Sequence, residues 1–535
     1  MGKFRLLSIP AALALTIAVS AAVPGSQHSK DASQSTPGPV GQPIAGPLGD
    51  FNGDSFADLA VGAPYEDVGG RVDAGAVNVI YGSSTGLTAS GNQYWTQNSA
   101  GIGDSAENSD QFGFATAAGD FNDDGFSDLA VGVPLEDTPG DSGVVNVIYG
   151  SPSGLTAAGN QVWSQNSAGI VDSREAEDNF GHAVAAADFD GDGFADLAVG
   201  VHYENLTSHE DGGAVNVIYG SPSGLNAAGN QFWHQGSPGI AGNPERGDFF
   251  AFALAAGDFD GDGFADLALG VPGEDSPLDF GVVNVIYGSA SGLSAGGNQV
   301  WSQNSRGIQG TGEAYDFFGY ALTAGDFGDD GFDDLAVGVP FEDIGKKINA
   351  GGVTVIYGTA DGLRATANQF WTQDSRGIVD RVEPRDQFGF AVAAGNFNGD
   401  LVGDQADDLA IGVPGEDLPT NTGRAVVIYA GSSRLSSAGN QLWSQNRLSG
   451  STSEAWDAFG FSLTSGEFGN GIAADLAIGV AFEDVGTIRD AGAMNAVYGT
   501  PEGLRADGNQ YWTQDDIAGP VERGDRFGYS VGGRA

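Results

Sequence analysis

An aspartate-rich loop of nine residues recurs along the chain. Its fullest copies begin at Asp120, Asp188 and Asp258, with Asp or Asn at position 3, aspartate at positions 1, 5 and 9, and glycine at position 6. Alternating oxygen-bearing side chains around a glycine turn suit a hard cation, and the carbonyl of position 7 can add one more oxygen. The pattern therefore predicts Ca²⁺ sites.

Five copies of the loop keep enough ligands to predict calcium binding. Copy one has Ser55 where glycine is preferred, and copy five has Gly328 at position 3, so that a water molecule would replace one ligand there. The expected ligands are Asp50, Asn52, Asp54, Asp58, Asp120, Asn122, Asp124, Asp128, Asp188, Asp190, Asp192, Asp196, Asp258, Asp260, Asp262, Asp266, Asp326, Asp330 and Asp334.

The last two copies depart from the pattern. The sixth begins at Asn396 and carries four extra residues before Asp408, so it does not predict a regular site. The seventh begins at Glu467 and has glycine at positions 3 and 5, so we expect no metal there. The alternative for every copy, and the one favoured for the sixth, is an ordinary acidic turn, because Asp and Gly are common turn residues.

The spacing of the loops predicts a repeated unit. Successive copies are 70, 68, 70, 68, 70 and 71 residues apart. Each unit holds four short segments that resemble strands, bounded by Gly, Asp, Asn or Pro; in the second unit they are residues 112–115, 128–134, 143–150 and 160–165. Seven units of four antiparallel strands predict an all-β, seven-bladed β-propeller, because radial packing protects the strand edges.

The two ends of the repeat predict how the ring closes. No Phe-Gly segment precedes the first loop, whereas the last one begins at Phe527 with seven residues after its glycine. We therefore expect residues 527–531 to complete the blade that begins at Asp50. The alternative is that residues 44–48 supply that strand and that Phe527 begins an unfinished eighth unit.

The first residues of the chain predict export. Lys3 and Arg5 precede an apolar run over residues 6–23 that ends in small residues, which is the layout of a signal peptide over residues 1–22. The alternative, a transmembrane anchor, fits less well because the run is barely 18 residues long and contains Pro10. Residues 23–44 predict a flexible, proline-rich linker, and residues 45–535 a single propeller. Only four of the 21 basic residues are lysine, which we take as a weak indication of a bacterial chain.

Composition excludes several functions. A formal charge of −49, from 70 acidic and 21 basic residues, argues against binding nucleic acid or anionic lipid. Zero cysteines exclude disulfides and thiolate metal sites. The chain has no HExxH pattern, nucleophile elbow or P-loop, so no enzyme is predicted. His202 and His209, which flank Glu204, are only a weak transition-metal pattern.

The repeated segments resemble FG-GAP repeats, the modules of the integrin alpha-chain propeller. Phe-Gly opens the repeat, with Ala251 in place of the glycine in one copy, and Gly-Ala-Pro (residues 62–64) or Gly-Val-Pro (residues 132–134) follows the acidic loop. The resemblance covers about residues 45–535. It implies calcium in the loops between the first and second strands, and a ligand on the opposite face, formed by the loops that join strands 2–3 and 4–1. Similar repeats accompany the catalytic domain of glycosylphosphatidylinositol-specific phospholipase D, of which we expect no counterpart here.

Our hypothesis is a secreted, calcium-binding module for an extracellular protein or glycan. The alternative is an extracellular hydrolase or lyase acting on polysaccharide or lipid. Residues that differ between units are the candidate ligand contacts: Phe249, Tyr315, Phe317, Arg376, Arg381 and Trp456.

Residues present in every unit are expected to be structural. Seven tryptophans are predicted to pack the blades rather than stack on sugars: Trp95, Trp163, Trp233, Trp301, Trp371, Trp443 and Trp512. Seven glutamates are predicted to support hairpins or to lie in solvent, rather than to form an acidic rim that attracts cationic partners: Glu66, Glu136, Glu204, Glu274, Glu342, Glu416 and Glu483.

Overall fold

The computed structural model describes residues 49–136, 140–206, 209–274, 278–399, 406–417, 420–431, 433–469, 471 and 473–532. The predicted signal peptide (1–22), the predicted linker (23–44) and the alternative first strand (44–48) lie outside these residues. Within the described ranges, no helix is long and apolar enough to cross a membrane.

Twenty-eight strands in the described residues form seven antiparallel sheets of four. The first strands of the blades are β28 (Ser530–Gly532), β4 (Ala115–Gly119), β8 (Val184–Ala187), β12 (Leu254–Gly257), β16 (Ala321–Gly325), β20 (Val392–Gly395) and β24 (Leu463–Gly466). The second strands are β1 (Leu59–Ala63), β5 (Asp128–Val133), β9 (Asp196–Val201), β13 (Asp266–Val271), β17 (Asp334–Val339), β21 (Asp408–Val413) and β25 (Asp475–Val480).

The outer half of each blade follows the same order. The third strands are β2 (Ala76–Tyr81), β6 (Val144–Tyr149), β10 (Ala214–Tyr219), β14 (Val282–Tyr287), β18 (Gly352–Tyr357), β22 (Arg424–Ala430) and β26 (Ala493–Tyr498). The fourth strands are β3 (Thr88–Trp95), β7 (Thr156–Trp163), β11 (Asn226–Trp233), β15 (Ser294–Trp301), β19 (Arg364–Trp371), β23 (Leu435–Trp443) and β27 (Arg505–Trp512). Two 3-10 turns follow the last two of these, Gln445–Arg447 and Gln514–Asp516.

The seven-bladed propeller is confirmed, and the C-terminal strand closes it. Strand β28 pairs antiparallel with β1, with Val531 opposite Val61, and it contacts the first strands of the blades on either side. The first three strands of each blade are buried almost throughout, whereas the fourth is half exposed. This gradient of burial explains the sequence: small and β-branched residues fill the inner strands, and polar residues enter only the outer one.

Close contact between blades explains the two glycines that mark each unit. A Cβ atom on Gly132 would lie 2.0 Å from the carbonyl oxygen of Gly181 in the next blade. Gly181 itself has φ +93°, a conformation that side chains disfavour. The Phe-Gly turn of one blade therefore rests directly on the Gly-Val-Pro strand of its neighbour. Glycine is required on that strand and favoured in the turn, where the fourth unit has Ala251 with φ +66°.

A polar contact ties the outer strands of neighbouring blades together. The Tyr81 hydroxyl donates to Oε1 of Gln93 at 2.6 Å, and Nε2 of Gln93 donates to the backbone oxygen of Leu155 in the next blade at 2.9 Å. The same contact joins the last blade to the first, where Gln510 donates to Leu87. These bonds explain why Tyr and Gln recur in the third and fourth strands.

A ring of seven aromatic side chains closes the axis of the propeller. Each is the residue that follows Phe-Gly, or Phe-Ala in the fourth unit, and neighbouring ring centroids are 5.1–5.6 Å apart around the whole circle. The members are Phe114, His182, Phe252, Tyr320, Phe390, Phe461 and Tyr529. The contacts make the axis a packed aromatic core.

Candidate metal centres and the opposite face

The predicted metal loops lie at one end of the propeller. Because the strands of a blade alternate in direction, the loops joining strands 1–2 and 3–4 share one face, here called the metal-loop face. The loops joining strands 2–3 and 4–1 share the other, here called the opposite face. All nineteen predicted ligands therefore lie on the metal-loop face, as the resemblance implies.

The aspartate at position 1 organises the backbone of its loop. Both carboxylate oxygens of Asp188 accept backbone N–H groups, from Gly191 at 2.6 Å, Asp192 at 3.1 Å and Gly193 at 2.9 Å. Position 1 of the other four loops accepts N–H groups in the same way. A carboxylate has about four lone-pair sites, so these bonds leave room for a cation.

The aspartate at position 9 joins two hairpins. Oδ2 of Asp128 accepts the N–H of Phe121 at 2.9 Å, and Oδ1 accepts the N–H of Gly150, just after the third strand, at 2.8 Å. The bond to the third strand recurs in all seven blades, including the seventh, where Asp475 accepts Gly499. Position 9 is therefore structural in every blade, whether or not it also contacts metal.

Carboxylate oxygens converge in copies three and four. One oxygen each of Asp188, Asp190 and Asp196 lie within 4.8 Å of one another, and Asp258, Asp260 and Asp262 form a second such group. Copies one and two have Asn52 and Asn122 at position 3 and so offer one carboxylate fewer. An amide oxygen is still a suitable calcium ligand.

Burial and like charge both oppose ionisation in these loops. Burial, followed by the neighbouring carboxylates, raises the pKa of Asp58 and Asp128 to about 8 and that of Asp266 to about 9. Burial and the charges of its neighbours also raise the pKa of Asp190 to about 6. A divalent cation among these groups would remove the repulsion, since opposite charge favours the ionised form.

Copy five fits a cation in spite of its missing ligand. A Cβ atom on Gly328 would lie 3.5 Å from Oδ2 of Asp334, 3.6 Å from Cγ of Asp330 and 3.7 Å from Oδ1 of Asp326. That Oδ2 atom is buried and has no hydrogen-bond partner among the described residues. A space surrounded by three carboxylates, one with an unpartnered oxygen, suits a cation with a bound water in place of the position-3 side chain.

The last two loops keep the fold without the ligand set. In copy six Asn396 accepts the N–H of Gly399 at 2.7 Å and Asp408 keeps the position-9 bonds, while residues 400–405 lie outside the described ranges. In copy seven a Cβ on Gly469 would lie 1.7 Å from the carbonyl oxygen of Ser83 in the first blade. This loop therefore packs against its neighbour at the position where others carry a ligand.

Two large aromatic side chains are exposed on the opposite face. Trp456 is 61% exposed with φ +78°, and Tyr315 is 54% exposed with φ +71°. The equivalent position has positive φ in every blade, and Gly247 and Gly524 occupy it elsewhere. Both aromatics thus sit where glycine is favoured, at a conformational cost of about 1 kcal/mol or more.

Aromatic residues continue from Tyr315 to the axis. The Phe317 ring lies 6.4 Å from that of Tyr315 and 5.5 Å from that of Phe341, which in turn lies 5.3 Å from Tyr320 of the axial ring. Phe249 makes a similar contact with Tyr203, at 5.5 Å. Phe249 and Phe317 are therefore half-buried supports of this surface.

Other members of this surface did not stand out in the sequence. The guanidinium of Arg526 lies 4.1 Å from the centroid of Tyr65 and 4.9 Å from that of Phe482. Tyr65, Tyr203, Phe341 and Phe482 occupy the third position after the glycine of the second strand, where the other blades have Leu or Gly. The recurrence of an aromatic residue at that position in four of the seven copies is the sequence pattern that could have predicted this part of the surface. Arg376 and Arg381 are exposed in the loop that joins the fourth strand of the fifth blade to the first strand of the sixth.

The repeated tryptophans pack within their blades, whereas the repeated glutamates are buried between blades and neither support a hairpin nor lie in solvent. Six of the seven glutamates are 0–6% exposed and Glu274 is half-buried. The Oε2 atom of each accepts a hydrogen bond from the side-chain amide of a glutamine in the preceding blade, as from Gln97 to Glu136 at 2.7 Å. The tryptophans pair with the third strand of their own blade, as Trp163 does with Val145. They are half-buried or buried, down to 0% exposure for Trp443.

The buried histidines belong to the packed axis. His202 stacks on His182 with ring centroids 3.8 Å apart, and burial lowers the pKa of His182 to about 3. Among the described residues, no group of three converging metal ligands includes a histidine. The weak pattern of His202 and His209 therefore gains no support.

Comparison with known proteins agrees with this architecture. A family model described as FG-GAP repeat matches residues 43–80, 112–148, 180–218, 250–287 and 318–356, which are the five units with a predicted calcium loop. Integrin alpha-5 of Xenopus laevis is 29% identical over 249 residues, 46% of this chain and 21% of that protein. Integrin alpha-3 of Cricetulus griseus is 32% identical over 201 residues, 36% of this chain and 18% of that protein.

A third relative is an enzyme. Phosphatidylinositol-glycan-specific phospholipase D of Bos taurus is 35% identical over 186 residues, 34% of this chain and 21% of that protein. The matched region thus spans about a fifth of the length of each of these relatives. The repeats, the seven blades and these similarities agree: the chain is an FG-GAP repeat protein with an integrin-alpha-like propeller.

Proposed function

We propose that this propeller is an extracellular binding module that recognises a protein or glycan through its opposite face. The observation that carries the proposal is the pair of exposed aromatics, Trp456 and Tyr315, at positions that favour glycine. Large exposed aromatics at a conformational cost are unusual unless they make contacts outside the chain. Aromatic rings with nearby arginine are the residue types that anchor interfaces.

The surroundings of these two residues support the same proposal. Tyr65, Tyr203, Phe341 and Phe482 are half-exposed around the axis, and Arg526 lies between two of them. Aromatic faces can stack on sugar rings or fill pockets of a protein partner, and the arginine adds charge recognition. The closed aromatic ring beneath them gives the surface a rigid floor.

Calcium is the second part of the proposal. The residues that would hold it are the nineteen loop ligands, in five sites. Bound Ca²⁺ would supply positive charge between carboxylates that are otherwise forced towards protonation by burial and by one another. Metal that binds only the folded loops also stabilises the fold. Export over residues 1–22 would place these sites where millimolar calcium is available, so weak sites would suffice.

One experiment tests recognition. The full-length mature protein, applied with 2 mM calcium to a glycan array and to extracellular protein extracts, is expected to retain specific ligands, and Trp456→Ala and Tyr315→Ala should each weaken that binding about tenfold or more. Glu502→Ala, on an exposed loop of the metal-loop face, is the control and should not change affinity. Equal binding by all four proteins would overturn the assignment of the face.

The same ligands decide between binding and catalysis. Incubation of each bound glycan or lipid with the protein should leave it intact. Calcium-dependent cleavage would overturn the binding module in favour of the hydrolase or lyase.

Thermal unfolding tests the metal. We expect a substantially higher melting temperature in millimolar calcium than in EDTA. Identical melting in both would contradict the calcium sites without bearing on the opposite face.

A further inference from the structure

A second set of buried carboxylates lies on the opposite face, at the junctions between blades. Every 4–1 loop carries Glu-x-x-Asp just before its Phe-Gly segment, as in Glu107 and Asp110. In the loop after the first blade, the backbone N–H of Glu107 donates to Oδ2 of Asp110 at 2.5 Å. The loop thus places both acids beside Glu136 of the second blade.

Three carboxylates converge at the junction of the first two blades. One oxygen each of Glu107, Asp110 and Glu136 lie within 4.8 Å of one another. Asp110 is fully buried and Glu136 is 4% exposed. Burial, followed by the charges of Asp104 and Asp110, raises the pKa of Glu136 to about 8.

A buried amide side chain of the first blade contacts this group. Gln97 is 0% exposed, and its Nε2 donates to Oε2 of Glu136 at 2.7 Å. Its Oε1 is buried and has no hydrogen-bond partner among the described residues. The reverse orientation of the amide would set oxygen against carboxylate, so the donating nitrogen is fixed and the oxygen is left for another ligand.

The same arrangement recurs around the ring. Each of the seven glutamines that follow the fourth strand has a buried, unpartnered Oε1 atom. At the next junction Oδ1 of Asp178 is also buried and unpartnered, and Gln165 donates to Glu204 at 2.6 Å. An unpartnered buried oxygen costs free energy unless a donor or a cation reaches it.

Basic side chains form no ion pair with the carboxylates of the first two junctions among the described residues. The ion pairs found among the described residues are Arg246 with Glu210 and Arg424 with Asp417. Arg174 is the basic residue whose charge acts on Glu136, yet burial lowers its pKa and it forms neither of these pairs. The charge of Arg174 also acts on Asp178 of the second junction, so this basic side chain lies near both groups of acids without forming either ion pair.

We propose that the inter-blade group of Gln97, Glu107, Asp110 and Glu136 binds a hard divalent cation, and that its counterpart at Gln165, Asp178 and Glu204 does the same. The donors are all oxygen, which suits Ca²⁺ or Mg²⁺ rather than a softer metal. An ion at each junction would join two blades, whereas an ion in a metal loop lies within one hairpin. At the last junction but one, a polar cleft of about 660 Å³ lined by Glu454, Glu483 and Tyr511 gives solvent a route to the equivalent acids.

The test uses the full-length mature protein and two variants that keep shape while removing one charge. Glu136→Gln and Glu204→Gln should each reduce by one the number of calcium or magnesium ions bound at saturation, measured by equilibrium dialysis against each metal separately. Glu177→Gln, an exposed acid of the loop after the second blade, is the matched control and should bind as many ions as the wild type.

Thermal unfolding gives a second readout, because the difference in melting temperature between variant and wild type should change sign between EDTA and metal. In EDTA each variant should melt at or above the wild-type temperature, because a repelling charge is gone; in the metal that binds, it should melt below. Loss of an ion together with this reversal supports the site. An unchanged ion count, with stabilisation of equal size in metal and in EDTA, would overturn it and leave protonated carboxylates as the state of the group.

The ion count of the variants distinguishes the junctions from the metal loops. The variants leave all nineteen loop ligands in place, so an unchanged ion count contradicts only the junctions, whereas absence of calcium stabilisation in the wild type would contradict calcium at the loops and at the junctions alike.

Discussion

Single residues in the metal loops carry conformational cost that can be measured. Ser55 has φ +73° at position 6 of copy one, where Gly125 of copy two has φ +87°. A Cβ on Gly125 would meet no atom within 4 Å, so only backbone conformation separates the two positions. In EDTA we expect Ser55→Gly to raise the free energy of unfolding by about 1 kcal/mol and Gly125→Ser to lower it by a similar amount. Denaturant unfolding checks both, and two changes of the same sign would contradict the argument.

His182 predicts a pH dependence that its neighbours in the axial ring do not share. Its pKa is about 3 in the folded protein, below the ordinary value of 6.5, because it is buried. Above pH 6.5 both states are neutral and the group has no effect. As the pH falls from 6.5 towards 3, the unfolded state binds a proton that the folded state does not, so stability is lost at about 1.4 kcal/mol per pH unit.

Replacement by the residue found at four equivalent positions tests this linkage. Relative to the wild type, His182→Phe should gain about 2 kcal/mol of stability between pH 7.5 and pH 5, since that interval includes 1.5 units below 6.5. Urea unfolding of both proteins at the two pH values measures this gain. Any hydrogen bond of the imidazole that the variant loses is lost at both pH values, so its contribution cancels. A pH-independent difference would show that His182 titrates normally.

At the scale of elements, the sequence predicted the strands and hairpins that lie within a single unit. The four segments, their order and the hairpin that carries Asp120 to Asp128 follow from local patterns of glycine and β-branched residues. The aromatic surface was only partly predicted. Tyr315 and Trp456 could be found because they stand at a position that differs from unit to unit, whereas Tyr65 and Phe482 become neighbours of Arg526 only in the closed ring.

Contacts between blades escaped prediction for a physical reason. Gln97 and Glu136 are 39 residues apart and lie in different blades, so no local pattern links them. The Glu-x-x-Asp pattern was visible in all seven copies, but its meaning depends on that contact. Similarly, the sequence marked position 9 as a ligand and gave no sign that Asp128 also bonds to the third strand.

The contact between neighbouring blades sets a strict limit on one glycine per unit. Gly132→Ala would place a Cβ 2.0 Å from the carbonyl oxygen of Gly181, so the two blades must separate. We expect a loss of about 3 kcal/mol of stability, at the upper end of the cost of overpacking. Gly296→Ala is the control, because its Cβ would meet only the Ser294 hydroxyl, at 3.3 Å. Comparable stability of the two variants in denaturant unfolding would contradict a close blade contact.

The whole molecule is held by closure rather than by any one blade. Strand β28 is the first strand of the blade that otherwise begins at β1, and Tyr529, just before it, completes the axial ring beside Phe114 and Phe461. Removing residues 527–535 would open the ring, expose the edge of β1 and leave a gap in the aromatic core. Removing residues 533–535 alone leaves all twenty-eight described strands intact.

The two truncations therefore separate closure from simple shortening. We expect loss of residues 527–535 to lower the melting temperature by ten degrees or more, on the order expected when several kcal/mol of core packing are lost, and to cause self-association through the exposed strand edge. Loss of residues 533–535 should change neither property. Thermal unfolding and size-exclusion chromatography, both in calcium, make the comparison. If both truncated proteins remained monomeric and had the melting temperature of the full chain, the seven blades would be stable without the C-terminal strand. That outcome would contradict ring closure and favour the alternative in which Phe527 begins an unfinished eighth unit.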